Sequence, residues 1–197
     1  MNKPTEIIIA SQNQHKISEI KSALSKFDVK ISSLNDYAEV GPINENGNSF
    51  EENAEIKARA VMNAVNKPVI ADDSGLVVDS LNGEPGIHSA RYAGDHDDDA
   101  NNSKLMRELK GKDRSAYFKT VLVYLSPEGD KMTAEGIVNG QILTEARGDN
   151  GFGYDPYFLV PDSQKSMAEM TVDEKNMISH RGRAIKQLVA KLDEAWS

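Results

Sequence analysis

The chain of 197 residues contains no cysteine. Disulfide bonds, thiolate zinc sites and cysteine nucleophiles are therefore excluded, and a reducing compartment is favoured. The chain also lacks the run of about 20 apolar residues that a membrane-spanning helix needs, and its N-terminal apolar stretch is too short for a secretory signal. We therefore expect a cytoplasmic protein without a membrane partner.

Positive charge is in short supply, because 23 Lys and Arg face 31 Asp and Glu and leave a net charge of −8. Such a surface repels phosphate backbones, so a nucleic-acid partner is not expected. A small anionic ligand remains compatible where lysines or a divalent cation reverse the sign locally. The length suits a single domain over residues 1–197, folded as two lobes around a cleft.

Several nucleotide-binding and hydrolase signatures are missing. There is no G-x-x-x-x-G-K-[ST] loop, no G-x-G-x-x-G in the first strand–helix turn and no G-x-S-x-G elbow. These absences argue against a Walker loop, a dinucleotide site and a serine hydrolase. The four histidines share no metal-ligand spacing, so a zinc site is not expected either.

Apolar periodicity predicts alternating strands and helices. Strands are predicted at 6–10, 29–33, 69–71, 117–125, 132–138 and 141–146. Helices are predicted from Ile17 to Phe27, after the capping box Ser49/Glu52, with Asp97–Asp99 at the N-terminal end of the third, after the capping box Thr171/Glu174 and at the C-terminus. The pattern indicates an α/β fold with a mixed sheet.

A polar loop, Ser11-Gln12-Asn13-Gln14-His15-Lys16, joins the first strand to the first helix. Backbone N–H groups in such a loop point at one spot with the helix N-terminus, which makes an anion site. Lys16 adds a positive charge, and Ser11 and Asn13 add hydrogen bonds. The alternative is an ordinary connection whose lysine solvates a helix start.

An acidic pair, Asp72-Asp73, is followed by Ser74 and Gly75 at the predicted end of an apolar strand. Strand ends are where open α/β sheets place ligands, and Mg²⁺ prefers carboxylate oxygens together with substrate phosphates. Gly75 lets the chain turn away from the pocket. The alternative is a surface turn, for which the same four residues are suitable.

Glu45 lies before the second helix and can supply another metal carboxylate. Glu51 and Glu52 are alternatives, although Glu52 is better explained by its capping box. Lys57, further along that helix, is placed to reach a phosphate. Otherwise Lys57 is a solvated surface lysine.

Two aromatics alternate with glycines in Gly151-Phe152-Gly153-Tyr154-Asp155-Pro156. Glycines allow close backbone approach, and an aromatic face offers a stacking platform for a nucleobase. The alternative is a tight turn that anchors two core aromatics.

His180 and Arg181 precede the predicted last helix. Arg181 carries a fork of donors suited to phosphate or carbonyl oxygen, and His180 can donate or accept. Capping and salt-bridging at a helix start is the alternative.

The order of these motifs resembles the inosine/xanthosine triphosphate pyrophosphatase family. The resemblance covers the chain from residue 6 to the last helix and rests on S-x-N-x-x-K, E-x-G-x-S-F-x-E-N-A-x-x-K-A, A-D-D-S-G, P-G-I-x-S-A-R-Y, G-F-G-Y-D-P and E-K-N-x-x-S-H-R-G. It implies Mg²⁺-dependent hydrolysis of dITP, ITP and XTP to the monophosphate and pyrophosphate. It also implies a homodimer whose elongated mixed sheet is flanked by helices, with an active cleft between two lobes.

The resemblance also implies roles for individual residues. Glu45 and Asp73 hold the metal, Asp73 is the general base and Asp72 assists it. The groups implied to bind substrate are Ser11, Gln12, Asn13, Gln14, His15, Lys16, Lys57, Ser74, Phe152, Gly153, Tyr154, Asp155, Lys175, His180 and Arg181.

The chain departs from many relatives at the first loop. It has Ser11 where they have Thr, which keeps a hydroxyl, and Gln12 where they have Gly, which changes the loop's side chain. Two other functions remain open. One is a pyrophosphatase for a different modified base, and the other is a non-catalytic nucleotide-binding protein.

Overall fold

A computed structural model describes residues 1–38 and 40–197. Its strands are β1 Glu6–Ile9, β2 Lys30–Ser33, β3 Val69–Val78, β4 Ser115–Leu125, β5 Lys131–Ile142, β6 Phe158–Val160 and β7 Lys165–Ser166. Its α-helices are α1 Gln14–Leu24, α2 Phe50–Val65, α3 Asp98–Glu108, α4 Val172–Ile178 and α5 His180–Trp196. Among these described residues, no helix has both the length and the apolar character needed to cross a membrane.

The strands form one seven-stranded sheet in the order β2-β1-β3-β4-β5-β6-β7. β1 pairs in parallel with β2 and β3, whereas β6 pairs antiparallel with β5 and β7. The predicted α/β fold with a mixed sheet is confirmed. The register places Ile9 opposite Ile70, so the loop after β1 begins beside the residues that lead into Asp72.

The chain divides into two compact units. The first unit comprises Met1–Asp73, Thr120–Gly136 and Gly182–Ser197, and the second comprises Ser74–Lys119 and Ile137–Arg181. Each unit has a hydrophobic core of its own. Ile7, Ile70, Leu122 and Leu188 belong to the first core, and Leu76, Leu105, Leu109 and Phe158 belong to the second. The single domain over residues 1–197 stays a prediction.

Helix starts follow the predicted local chemistry. The Thr171 hydroxyl accepts from Glu174 N and the Glu174 carboxylate accepts from Thr171 N, so this capping box is confirmed. Asp97 caps α3 as expected. At α2 only half of the box forms, because Ser49 accepts from Glu52 N while Glu52 binds another amide.

Three local predictions were wrong, and two short strands were missed. Asp72-Asp73-Ser74-Gly75 does not end a strand, because β3 continues through these residues to Val78. No separate strand occupies 141–146, since β5 extends to Ile142. β6 and β7 were not predicted, because strands of three and two residues show no periodicity. His180 and Arg181 do not precede the last helix but form its first turn.

Candidate active site

The loop Ser11–Lys16 caps the N-terminus of helix α1. Asn13 is the N-cap of α1, and its Oδ1 accepts from His15 N at 3.0 Å and from Lys16 N at 3.3 Å. Ser11 Oγ accepts from Asn13 N at 3.1 Å. The N–H groups of His15 and Lys16 belong to the loop that was predicted to bind an anion, and both already donate to the Asn13 side chain. Of the other loop side chains, Gln12, Gln14 and His15 are exposed.

Lys16 joins this loop to the acidic pair. Its Nζ lies 2.7 Å from Asp72 Oδ2, and the Asp72 side chain is only 2% exposed. A buried carboxylate needs such a partner, because removing an unpaired charge from water is costly. Asp72 is therefore a buried anchor for Lys16 and keeps that ammonium at the β1–α1 loop.

Lys57 is largely buried and does not lie on the solvated surface. Its Nζ lies 2.9 Å from Glu45 Oε2 and donates to the main-chain oxygen of Asp72 at 2.9 Å. Burial on its own lowers the pKa of the Lys57 ammonium. The carboxylates of Asp72 and Glu45 raise the pKa by more, so it lies above its usual value and the group is a stable cation.

Asp73 has a very different environment from Asp72. Burial raises the pKa of the Asp73 carboxyl to about 6, although Lys57 and Asn53 oppose this shift. The negative charges of Glu45 and Asp72 act in the same direction as burial. A carboxylate with a pKa near neutrality is suited to accepting a proton from water.

Asn53 belongs to the site, although none of the sequence motifs assigns it a role. Its Nδ2 donates to Asp73 Oδ2 at 3.1 Å, and its Oδ1 accepts from Gly47 N at 2.9 Å. The side chain is 1% exposed. It therefore ties the loop that carries Glu45 to the carboxylate of Asp73. A signal existed, since an amide three residues after Phe50 lies on the predicted apolar face of α2.

The donor set around Asp73 suits a hard cation. Glu45 and Asp73 supply only oxygen ligands, and Mg²⁺ is usually held by one or two carboxylates together with substrate phosphates. Within residues 1–38 and 40–197, no cluster of three or more His, Cys, Asp or Glu forms a closed metal cage. Glu45 and Asp73 are thus the residues that could hold a hard divalent cation such as Mg²⁺.

In the second unit, the structure separates the two predicted aromatics. Phe152 is 38% exposed, with Lys175 Nζ 5.4 Å and Arg181 Cζ 5.9 Å from its ring centroid. Tyr154 is 5% exposed, and its hydroxyl donates to the main-chain oxygen of Ser89 at 2.7 Å. Phe152 thus offers an open aromatic face, whereas Tyr154 anchors the turn in the core.

Asp155 fixes the shape of this turn. Its Oδ2 accepts from Phe152 N at 3.0 Å and from the ammonium of Lys175. Gly151 lies in the left-handed region at φ +81°, and a Cβ there would lie 2.1 Å from the same Asp155 oxygen. Only glycine fits such a position.

His180 and Arg181, at the start of α5, are both buried, at 5% and 3% exposure. The His180 ring stacks on Phe118 at 4.7 Å between centroids and 14° between planes. Arg181 extends towards the ring of Phe152. The structure therefore brings Phe152, Lys175 and Arg181 together.

Ser74 lies half-buried in β3, next to Asp73.

Comparison with known proteins is consistent with this arrangement. Residues 7–191 match the model of the Ham1 family. The chain is 51% identical to a dITP/XTP pyrophosphatase of Lactiplantibacillus plantarum, over 100% of this chain and 99% of that protein.

Solved structures of Ham1 proteins are also similar to this chain. The Ham1 protein of Staphylococcus aureus superposes with a TM-score of 0.89 at 44% identity, over 96% of this chain and 99% of the other. A HAM1 protein from Coxiella burnetii superposes with a TM-score of 0.91 at 40% identity, over 97% and 100% of the two chains. Sequence, fold and length agree, and the chain belongs to the Ham1 family.

Proposed function

We propose that this protein hydrolyses the non-canonical purine nucleoside triphosphates dITP, ITP, XTP and dXTP to the nucleoside monophosphate and pyrophosphate. The observation that carries the proposal is the carboxylate of Asp73, which Asn53 holds in place and burial makes basic. The name of the Lactiplantibacillus plantarum relative supports the substrate class. Such an enzyme cleanses the nucleotide pool.

Residues of the first unit act on the triphosphate. Asp73 accepts a proton from the attacking water, whose oxygen bonds to the α-phosphorus as the bond to the bridging oxygen breaks and pyrophosphate leaves. Lys16 and Lys57 offset the negative charge of the phosphates. Glu45 and Asp73 would hold Mg²⁺, which neutralises phosphate charge and acidifies water when bound. Asp72 keeps Lys16 in place.

The loop Ser11–Lys16 contributes differently from its prediction as an amide cradle. Asn13 organises the first turn of α1, and Ser11 in turn supports Asn13. The side chains of Gln12, Gln14 and His15 are exposed and contact phosphate oxygens, and Ser74 contacts substrate beside Asp73.

Residues of the second unit recognise the base. The exposed ring of Phe152 stacks on the purine, and the guanidinium of Arg181 donates to the 6-oxo group of hypoxanthine or xanthine. Adenine carries an amine there, which leaves a donor unpaired and costs about 10²-fold in specificity. Lys175 and His180 complete the pocket, with Gly153, Tyr154 and Asp155 shaping its wall.

A product assay tests the proposed function. With Mg²⁺ present, we expect pyrophosphate as the first product from dITP and XTP, with rates on dATP and dGTP lower by about 10²-fold. Release of orthophosphate first, or equal rates on all four, would contradict the proposal. Equally fast hydrolysis of dUTP or dTTP would indicate a different base specificity, and binding of dITP without turnover would indicate a non-catalytic protein.

We further propose that the enzyme works in the cytoplasm as a homodimer. The lack of cysteine supports a reducing compartment. Val172 and Met177 on α4 are 70% and 82% exposed and supply apolar surface for association. Light scattering after size exclusion tests the dimer, and a mass near 21.6 kDa, that of one chain, would exclude it.

A further inference from the structure

We propose that Asp98 and Asn102 of α3 are positioning residues that hold the peptide of Gly153 and thereby orient Phe152 towards the base. The inference rests on the proposed function of Phe152. Neither residue carries a role in base recognition on the sequence pattern alone, where Asp98 belongs to an acidic helix start.

Asp98 and Asn102 both hold Gly153, and we call this pair of contacts the clamp. Asp98 Oδ2 accepts from Gly153 N at 2.8 Å, and Asn102 Nδ2 donates to Gly153 O at 2.9 Å. A spacing of four residues puts both side chains on the same face of α3. Gly153 is thus held at its N–H and at its carbonyl, and its φ of +62° is stabilised from outside the turn.

The helix that supplies the clamp is firmly fixed. Asn101 Oδ1 accepts from Ala93 N at 2.6 Å and from Gly94 N at 3.2 Å. Leu105 and Leu109 are 0% exposed in the core of the second unit. Contacts from such a helix impose a defined position on their partner, which here is an exposed turn rich in glycine.

Phe152 lies immediately before the clamped residue. Its own N–H is fixed by Asp155, and its carbonyl carbon forms the peptide bond to Gly153 N. The peptide on its C-terminal side is therefore oriented by Asp98. Because the peptides on both sides of Phe152 are fixed, its backbone has few conformations available, and the direction of its exposed ring is restricted as well.

The Asn102 amide contacts the described part of the chain through its donor and not through its acceptor. Its Oδ1 is buried and has no protein hydrogen-bond partner among residues 1–38 and 40–197, and the residue is 9% exposed. A buried acceptor without a partner destabilises a fold, and such groups are rare enough to need a reason. The reason is the single hydrogen bond from Nδ2 to Gly153.

The experiment compares variants of the full-length enzyme for dITP hydrolysis and thermal unfolding. Asn102→Ala is expected to lower kcat/KM about tenfold, chiefly through KM, while Tm changes little, because loss of the hydrogen bond from Nδ2 and removal of the buried acceptor Oδ1 offset each other. Asp98→Ala is expected to give a similar loss. Asp98→Asn retains an acceptor for Gly153 N and is expected to stay within about twofold of wild type.

Asp99→Ala is the matched control. Asp99 shares the first turn of α3 and its interaction with the helix dipole, and it is exposed. We expect its kcat/KM to stay within about twofold of wild type, since a dipole effect at the surface is small. A loss as large as that of Asp98→Ala would overturn the clamp in favour of a general effect on helix stability.

Hydrogen exchange of the segment 148–156 gives a readout that does not depend on activity. Asp98→Ala and Asn102→Ala are expected to speed exchange there at least about tenfold, while Asp99→Ala leaves it unchanged. Unchanged exchange in the first two variants would overturn the proposal, as would a fall in Tm with no change in KM. Failure of wild type to release pyrophosphate from dITP would refute the proposed function, and exchange would still test the clamp.

Discussion

Asp72 and Asp73 are neighbours in sequence, but their side chains lie in different environments. Because β3 continues through them, successive side chains leave opposite faces of the sheet. Asp72 lies in a buried ion pair with Lys16, whereas Asp73 is held by the neutral amide of Asn53 and has a pKa of about 6. The strand geometry thus separates the environments of the two carboxylates, and in the proposed mechanism Asp72 anchors Lys16 while Asp73 accepts the proton.

Asp73→Asn is predicted to abolish turnover and to stabilise the metal-free protein above pH 6. The folded pKa of about 6 lies above the ordinary 3.8, so ionisation of Asp73 destabilises the fold increasingly as pH rises between these values. The gain at pH 7.5 is at most about 3 kcal/mol, and it vanishes near pH 4. Thermal unfolding without divalent cations measures it. Asp79→Asn, at an exposed carboxylate, is the control, and retained turnover in Asp73→Asn would remove that residue from the mechanism.

Asn53→Ala is predicted to lower kcat about 10- to 100-fold with a smaller change in KM, because Asp73 and the Gly47 loop lose their common support. Steady-state kinetics on dITP measures the effect. Asn63→Ala, at an exposed position on the same helix α2, is expected to behave like wild type. An equal loss in both variants would mean that α2 is disturbed as a whole.

At the scale of elements, β1, β2 and the turn before β3 are joined by a polar network around Glu6. The Glu6 carboxylate accepts from Ser32 Oγ at 2.5 Å and from Tyr37 OH at 3.2 Å, and it pairs with Lys67 and Lys30. These partners, Lys67 first, lower the pKa of Glu6 to about 2. The network fixes the start of the first strand.

Glu6→Gln is predicted to lower the free energy of unfolding by about 1–2 kcal/mol at pH 7, since Lys30 and Lys67 are exposed enough for solvent to screen the pair. The folded pKa lies below the ordinary 4.5, so this stabilisation is complete above pH 4.5 and is lost as pH falls towards 2. Urea unfolding between pH 2 and pH 7 follows it. Glu128→Gln, in an exposed turn, should show no such pH dependence.

Secondary structure was predictable where the signal was local. The Thr171 box and the Asp97 cap formed as expected, because a cap needs only residues within one turn. Continuation of β3 through Asp72–Gly75 was not predictable, because pairing with distant strands keeps these polar residues extended. The short β6 and β7 are likewise products of the sheet.

At the scale of the whole molecule, two cores are joined by strands that contribute residues to both units. β3, β4 and β5 each run from one unit into the other. We therefore predict one cooperative unfolding transition, as expected of a single domain over residues 1–197. The only tryptophan, Trp196, packs on Phe27 in the first unit at 5.0 Å between ring centroids, so its fluorescence reports that unit.

Leu109→Ala, in the core of the second unit, tests this cooperativity. It is expected to destabilise the protein by about 3 kcal/mol and to lower the midpoints of Trp196 fluorescence and far-UV circular dichroism together. A fluorescence midpoint that stays at its wild-type value while circular dichroism shifts would show two independent domains. Leu122→Ala, in the first core, should move both signals under either outcome.

The sequence by itself determined the fold class, the helix caps and the order of the chemistry-bearing motifs, because these depend on local periodicity and on residue type. Only the tertiary structure decided which carboxylate is buried with Lys16, that Asn53 supports Asp73, and that Phe152 faces outwards while Tyr154 is in the core. The physical reason is that burial and long-range hydrogen bonds depend on partners far apart in the chain, and neither is visible in the spacing of a motif.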